Sequence, residues 1–253
     1  MAPRTMPRIA RRAGNSSVLL LRGPRHGPRT PPKAAAVTDA AIFDMDGVLV
    51  DSGVWHRAAW QALLAELGVP PARPDFWRLT IGRPAEEAVP LLLGKTLSGS
   101  EAWRLARRKR DLYVGLARQG LRAIPGAPAF VEYLGRQGVP RAVGTSASRQ
   151  DVDRMLGAVG LRRHFDVVVT SEDVRRGKPD PEVYALAARR LGAMPEACLV
   201  FEDSVVGIEA ARRAGMRAIG VTTAYGEEEL RAAGALAVIA DFEGLEWEAI
   251  TRR

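Results

Sequence analysis

Six short apolar runs, AAIF (40–43), PRAVG (140–144), DVVVT (166–170), CLVF (198–201), RAIGV (217–221) and LAVIA (236–240), recur along the chain with helical patterns between them. This alternation constrains the fold more than any other feature. It predicts an α/β architecture, a Rossmann-like doubly wound parallel sheet with helices on both faces. Helix boundaries are marked as well. Asp180 and Pro181 read as an N-cap followed by a first-turn proline for EVYALAARRLGA, and Gly215 reads as the stop after VVGIEAARRA.

The interval of about ninety residues between the first two runs is far longer than a crossover between parallel strands requires. Within it, VWHRAAWQALLAELG and EAWRLARRKRDLYVGLARQG carry apolar residues at spacings of three and four, and no convincing strand interrupts them. The expected organisation is therefore an α/β core of residues 39–52 and 124–253, with an inserted α-helical cap domain at 53–123. AIPGAP (123–128) is expected to be the return hinge. Trp55 and Trp60 are read as cap core, and RLARRKR (104–110) as a solvated cap-helix face.

The net charge of +8 invites a nucleic-acid or membrane reading, but its location argues otherwise. Eight of the 37 basic residues and no acid fall in residues 1–38, leaving 29 basic against 29 acidic residues in the remainder. Residues 1–38 are thus expected to be a disordered basic leader. It reads as a tail for acidic partners, a transit peptide, or translated sequence upstream of the true start. Nucleic acid is not an expected partner, and SSVLLL (16–21) is far too short to span a membrane. Cys198 is the only cysteine, so no internal disulfide can form. It is read as a core residue, and the chain as a cytoplasmic monomer.

Ligands of open α/β sheets bind beyond the carboxyl ends of the strands. Four strands end there in polar groups: Asp44 and Asp46; Thr145, Ser146 and Ser148; Lys178 after the third; Glu202 and Asp203. Close carboxylates disfavour one another's ionisation, so the cluster calls for a cation. With a lysine and hydroxyls nearby, the set suits Mg²⁺-assisted phosphoryl transfer. Asp44 would attack and Lys178 would neutralise. The hydroxyl of Ser146 or Thr145, with backbone N–H groups such as that of Ala147, would hold the phosphate. Asp203 and Glu202 would complete the metal's oxygen shell, and Asp46, on the same side of an extended backbone as Asp44, would act as general acid and base. Asp51 is read as a helix-capping acid and His164 as structural.

At DMDGVLVDS (44–52), GTSAS (144–148), GKPDPEVY (177–184) and FEDSVVGIEAARRAGM (201–216), the sequence resembles the haloacid dehalogenase superfamily of phosphohydrolases, in its β-phosphoglucomutase-like branch with a helical cap. The resemblance implies an aspartyl-phosphate on Asp44, Asp46 as general acid/base, and Mg²⁺ held by Asp44, the backbone carbonyl of Asp46, and Asp203. It favours Ser146 as the phosphate-binding hydroxyl and makes His56 a substrate-gating candidate. Asp46 argues against the metal-free dehalogenases, and the first cap helix lacks the lysine of the phosphonate-cleaving members. In the cap loop LTIGRPAEEA (79–88), Ile81 and Ala85 stand where phosphomutases carry basic groups, and only Arg83 is cationic. The expectation is a phosphatase of small phosphorylated metabolites, sugar phosphates first, with Arg83 and His56 as cap-side contacts. A β-phosphoglucomutase-type mutase is the alternative, and a nucleic-acid-binding protein with an inactive core the rival from another class.

Overall fold

The computed structural model describes residues 39–70, 75–117 and 120–251; the basic leader lies outside them. Six strands form the sheet: β1 (Ala40–Phe43), β2 (Arg141–Gly144), β3 (Val167–Val169), β4 (Cys198–Glu202), β5 (Arg217–Val221) and β6 (Ala237–Ile239). All pair in parallel, in the order β3-β2-β1-β4-β5-β6. This is the Rossmann order, with its switch point at β1, where successive connections leave on opposite sides. The outer strands begin or end a residue inside the apolar runs that announce them, because pairing stops where the neighbouring strand ends.

Nine helices are described: α1 (Gly53–Glu66), α2 (Ala85–Leu93), α3 (Gly99–Ala117), α4 (Ala127–Arg136), α5 (Arg149–Ala158), α6 (Glu182–Leu191), α7 (Val205–Arg213), α8 (Glu227–Ala233) and α9 (Trp247–Thr251). The two-residue period of β1 sends Ala41 and Phe43 to one face and Ala40 and Ile42 to the other. On the first face they join Phe130, Leu134, Met155, Phe201 and Phe242 beneath α4, α5 and α9. There Phe43 stacks on Phe201, its register partner, at 4.8 Å between ring centroids. On the second face lie Tyr184, Ala187, Ile208 and Leu230 of α6, α7 and α8. Cys198 is fully buried in this layer, and burial pushes its thiol up to about 11, as a core residue requires.

The segment between β1 and β2 is helical and builds its own apolar cluster from Trp60, Leu63, Leu64, Phe76, Ala88 and Val89. Helix α2 carries Pro90 in its interior, which hides it from a reading by propensity. Trp55 differs from its expected place: it packs against the sheet-face cluster, at the base of α1. Asp51 is not the cap of α1. Ser52 holds that position, and its hydroxyl turns instead to Asp46. At α6 the N-cap falls on Pro181, while Asp180 Oδ1 accepts the Glu182 N–H.

Three sets of contacts join this helical segment to the core across the crevice. Arg78 makes a bidentate pair with Glu229 at 2.6 and 3.3 Å, and Tyr225 donates to the Arg78 carbonyl. Arg110 binds Asp151 and Gln150 of α5, and Ser146 donates to the Gly82 carbonyl at 2.9 Å. Among the described residues, no helix is long and apolar enough to cross a membrane.

Candidate active site

The carboxyl ends of β1, β2, β4 and β5 open into a cleft of about 1170 Å³ whose floor carries Asp44, Asp46, Thr145, Ser146 and Asp203, with Thr223 from the β5 loop. Lys178 reaches the same point from the loop before α6. Its ammonium, 1% exposed, donates to Asp44 Oδ1 at 2.8 Å and to Glu202 Oε1 at 2.7 Å. Asp44, Lys178 and Glu202, from three separate segments of the chain, thus meet in one buried cluster.

Oxygen atoms of Asp44, Glu202 and Asp203 lie within 4.8 Å of one another, and all three residues are buried. Burial, opposed by Lys178 and reinforced by Glu202 and Asp46, lifts Asp44 to about 7. Burial, Glu202 and Asp44 likewise raise Asp203 well above the usual carboxylate range. For Lys178 burial works against the charge, but Asp44 and Glu202 outweigh it and hold the ammonium protonated. The site is short of positive charge, and its donors are hard oxygens, so it fits a divalent cation of the Mg²⁺ type. The backbone is shaped for close approach as well: Gly47 has φ +75°, and a Cβ there would overlap the Asp203 carboxylate.

Glu202 is more heavily engaged than the sequence suggests. Oε1 accepts from Lys178 and Tyr184, and Oε2 from the backbone and hydroxyl of Ser204, which caps α7. Tyr184, beneath the lysine at 4.9 Å, escaped the sequence reading although it closes the GKPDPEVY motif. Thr223 was missed as well; its hydroxyl faces the Gly47 carbonyl at 2.6 Å and Asp203 Oδ2 at 3.2 Å, tying the β5 loop to both.

The hydroxyls after β2 have distinct partners. Thr145, 1% exposed, accepts the Ala147 N–H at 3.1 Å and so shapes the turn. Ser146 is half-buried and directs its hydroxyl across the cleft to Gly82. Arg83 lines the cleft from the adjoining loop.

Asp46 faces the helical segment. Its Oδ1 accepts from Ser52 at 2.5 Å and His56 Nε2 at 2.9 Å. Burial would raise this carboxylate, but His56 and the two hydrogen bonds bring it below its ordinary value. His56 stacks on Tyr113 with centroids 4.2 Å apart, and its Nδ1 lies 2.5 Å from Lys109 Nζ. An ammonium only donates, so Nδ1 accepts and Nε2 carries the proton offered to Asp46. Burial and the Lys109 charge both push His56 down. Lys109 itself is 6% exposed and lowered by burial to about 8, which corrects the reading of residues 104–110 as wholly solvated. The signal was present: Ala102, Ala106, Lys109 and Tyr113 are the buried residues of α3, at the three- and four-residue spacing of an inward stripe. His164, half-buried after α5, contacts Arg163.

The chain is 34% identical over 194 residues to the chloroplastic 5-amino-6-(5-phospho-D-ribitylamino)uracil phosphatase of Arabidopsis thaliana, spanning 76% of this chain but only about half, 52%, of that relative. It is 32% identical over 203 residues to a phosphorylated carbohydrates phosphatase of Thermotoga maritima, covering 79% and 94% of the two chains. The crystal structure of a hydrolase from Pseudomonas syringae matches with a TM-score of 0.75 at 31% identity, over 81% of this chain and 94% of that one. The family model for haloacid dehalogenase-like hydrolases matches residues 41–221, from β1 to the end of β5, a span that holds Asp44, Asp46, Lys178, Glu202 and Asp203. The chain belongs to the haloacid dehalogenase-like hydrolase family.

Proposed function

We propose that this protein is a Mg²⁺-dependent phosphatase of small phosphorylated metabolites, sugar phosphates first, acting through an aspartyl-phosphate on Asp44. The observation that carries this reading is the meeting of Asp44, Lys178, Glu202 and Asp203 in one buried cluster at the floor of the cleft. The named activities of the Arabidopsis and Thermotoga relatives support it.

Asp44 attacks phosphorus in line; the Asp44–phosphorus bond forms as the bond to the substrate's alcohol oxygen breaks. Asp46 delivers its proton to that oxygen, then accepts one from the water that cleaves the acyl phosphate and restores the Asp44 carboxylate. Both hydrogen bonds of Asp46 fall on Oδ1, so Oδ2 is the oxygen presented to the substrate. The negative charge of an incoming phosphate opposes His56 and favours the protonated acid that the first step needs. Lys178 screens the attacking carboxylate from the phosphate, and Glu202, with Tyr184 and Ser204 behind it, fixes where that ammonium points. The Ser146 hydroxyl holds a phosphoryl oxygen. Asp44, Asp203 and the backbone carbonyl of Asp46 would hold a Mg²⁺ ion, whose charge would offset the repulsion between the attacking carboxylate and the phosphate. Helices α1, α2 and α3 serve as the cap, with His56 and Arg83 on the substrate side.

The test is a panel of phosphate esters with Mg²⁺ and the Asp44→Asn variant. Turnover should fall by at least about a thousandfold in the variant; unchanged Mg²⁺-dependent turnover would refute the assignment. With glucose 1-phosphates, sustained phosphate release marks the hydrolase, whereas glucose 6-phosphate formed without it marks the mutase.

A further inference from the structure

The cleft extends well beyond the groups that handle a phosphate, and its outer wall has a composition the chemistry itself does not need. Trp77 and Trp103 both line it. Trp103 is 59% exposed, so a large part of its ring is open to a ligand in the cleft. Each indole carries a guanidinium over its face, Arg57 over Trp77 at 4.2 Å and Arg107 over Trp103 at 5.6 Å. No ion pair engages either arginine among the described residues.

A wall built for a second anion would carry a surplus of positive charge. Here the cations of the lining above the floor, Arg57, Arg83 and Arg107 among them, are nearly matched by acids such as Asp51, Glu86 and Asp111. Planar groups of both signs around an exposed indole suit a different ligand. A sugar ring turns its C–H face to the indole, and each hydroxyl both donates and accepts, so it needs arginine and carboxylate partners together. The volume, about 1170 Å³, exceeds the roughly 300–1,000 Å³ of a pocket for one drug-sized molecule.

We propose that the substrate is a phosphorylated disaccharide or larger glycoside, its phosphate-bearing ring over Asp44 and its second ring against Trp103. The inference rests on the phosphatase reading and names its substrate class. Trp103 is then a specificity-determining residue that acts by binding, remote from the reacting atoms.

The experiment compares kcat/KM for glucose 6-phosphate with that for trehalose 6-phosphate, cellobiose 6′-phosphate and maltose 6′-phosphate, beside fructose 1,6-bisphosphate and 5′-nucleoside monophosphates. At least one disaccharide phosphate should exceed glucose 6-phosphate by about tenfold, the range that one aromatic contact supplies. Trp103→Ala should reduce that advantage toward parity through KM, and Trp103→Tyr should restore most of it. Glucose 6-phosphate equal to or better than every disaccharide ester overturns the inference while leaving the phosphatase reading intact, as does a preference for the bisphosphate or the nucleotides. Absence of phosphate release from every ester overturns both.

Discussion

Replacing Lys178 by Met removes the one cation that, among the described residues, pairs with a cluster in which Asp44, Glu202 and Asp203 are 4%, 0% and 5% exposed. The cost can be sized from what the lysine restrains. Even with it in place, Asp44 stands near 7 instead of 3.8, about three units, or ~4 kcal/mol of unfavourable burial when ionised. Breaking a buried pair by deleting one partner typically costs about 3–5 kcal/mol. In a domain of this size that corresponds to a drop in Tm of roughly 6–20 °C at pH 8 without metal.

A carboxyl whose folded-state pKa is raised binds more protons in the native state than in the unfolded one, so stability falls as pH climbs from the unfolded value through the folded one. Without Lys178 Asp44 rises further, so the deficit against wild type should widen as pH climbs through about 7, where the wild-type carboxyl ionises, and shrink on acidification. Urea unfolding followed by circular dichroism at pH 5, 6, 7 and 8 measures it. A deficit that stays constant across that range, or that is below about 1 kcal/mol at pH 8, would refute the electrostatic account.

Other consequences are equally direct. Gly47→Ala forces a side chain into a φ of +75° and against Asp203, so it should cost about 1–3 kcal/mol and weaken Mg²⁺ binding by isothermal titration calorimetry. Lys109→Met should raise Tm at pH 7. The ammonium is depressed from 10.5 to about 8, so it burdens the folded state by ~3 kcal/mol below pH 8, of which about 1 is offset by its bond to His56. Wild-type stability should accordingly rise between pH 8 and 10.5, a rise absent from the variant. In the same variant the His56 imidazole should titrate at higher pH by NMR, because the neighbouring charge is gone.

The sheet was legible in the sequence because parallel strands covered on both faces read as unbroken apolar runs, and the carboxylates that follow β1 and β4 advertise themselves by breaking them. What the sequence hides is direction. Lys109 stands among four arginines from Arg104 to Arg110, and only the stripe of buried residues on α3 distinguishes it. Tyr184 and Thr223 escape for another reason: a hydroxyl's partner is set by tertiary packing, and neither the Glu202 carboxylate nor the Gly47 carbonyl lies near them in the chain. Asp51 illustrates the converse, since a residue with excellent capping chemistry loses the position to its neighbour when the loop geometry places Ser52 at the helix start.

The hydroxyl of Ser146 has a single hydrogen, and here it is given to the carbonyl of Gly82 on the opposite lip. If the same hydroxyl is to grip a phosphoryl oxygen, the substrate must first take that hydrogen away, loosening one stitch between the lips as it settles. Departure of phosphate returns the hydrogen and draws the lips together again. Loading and resealing would then be opposite strokes of one exchange, with the ester itself as the key.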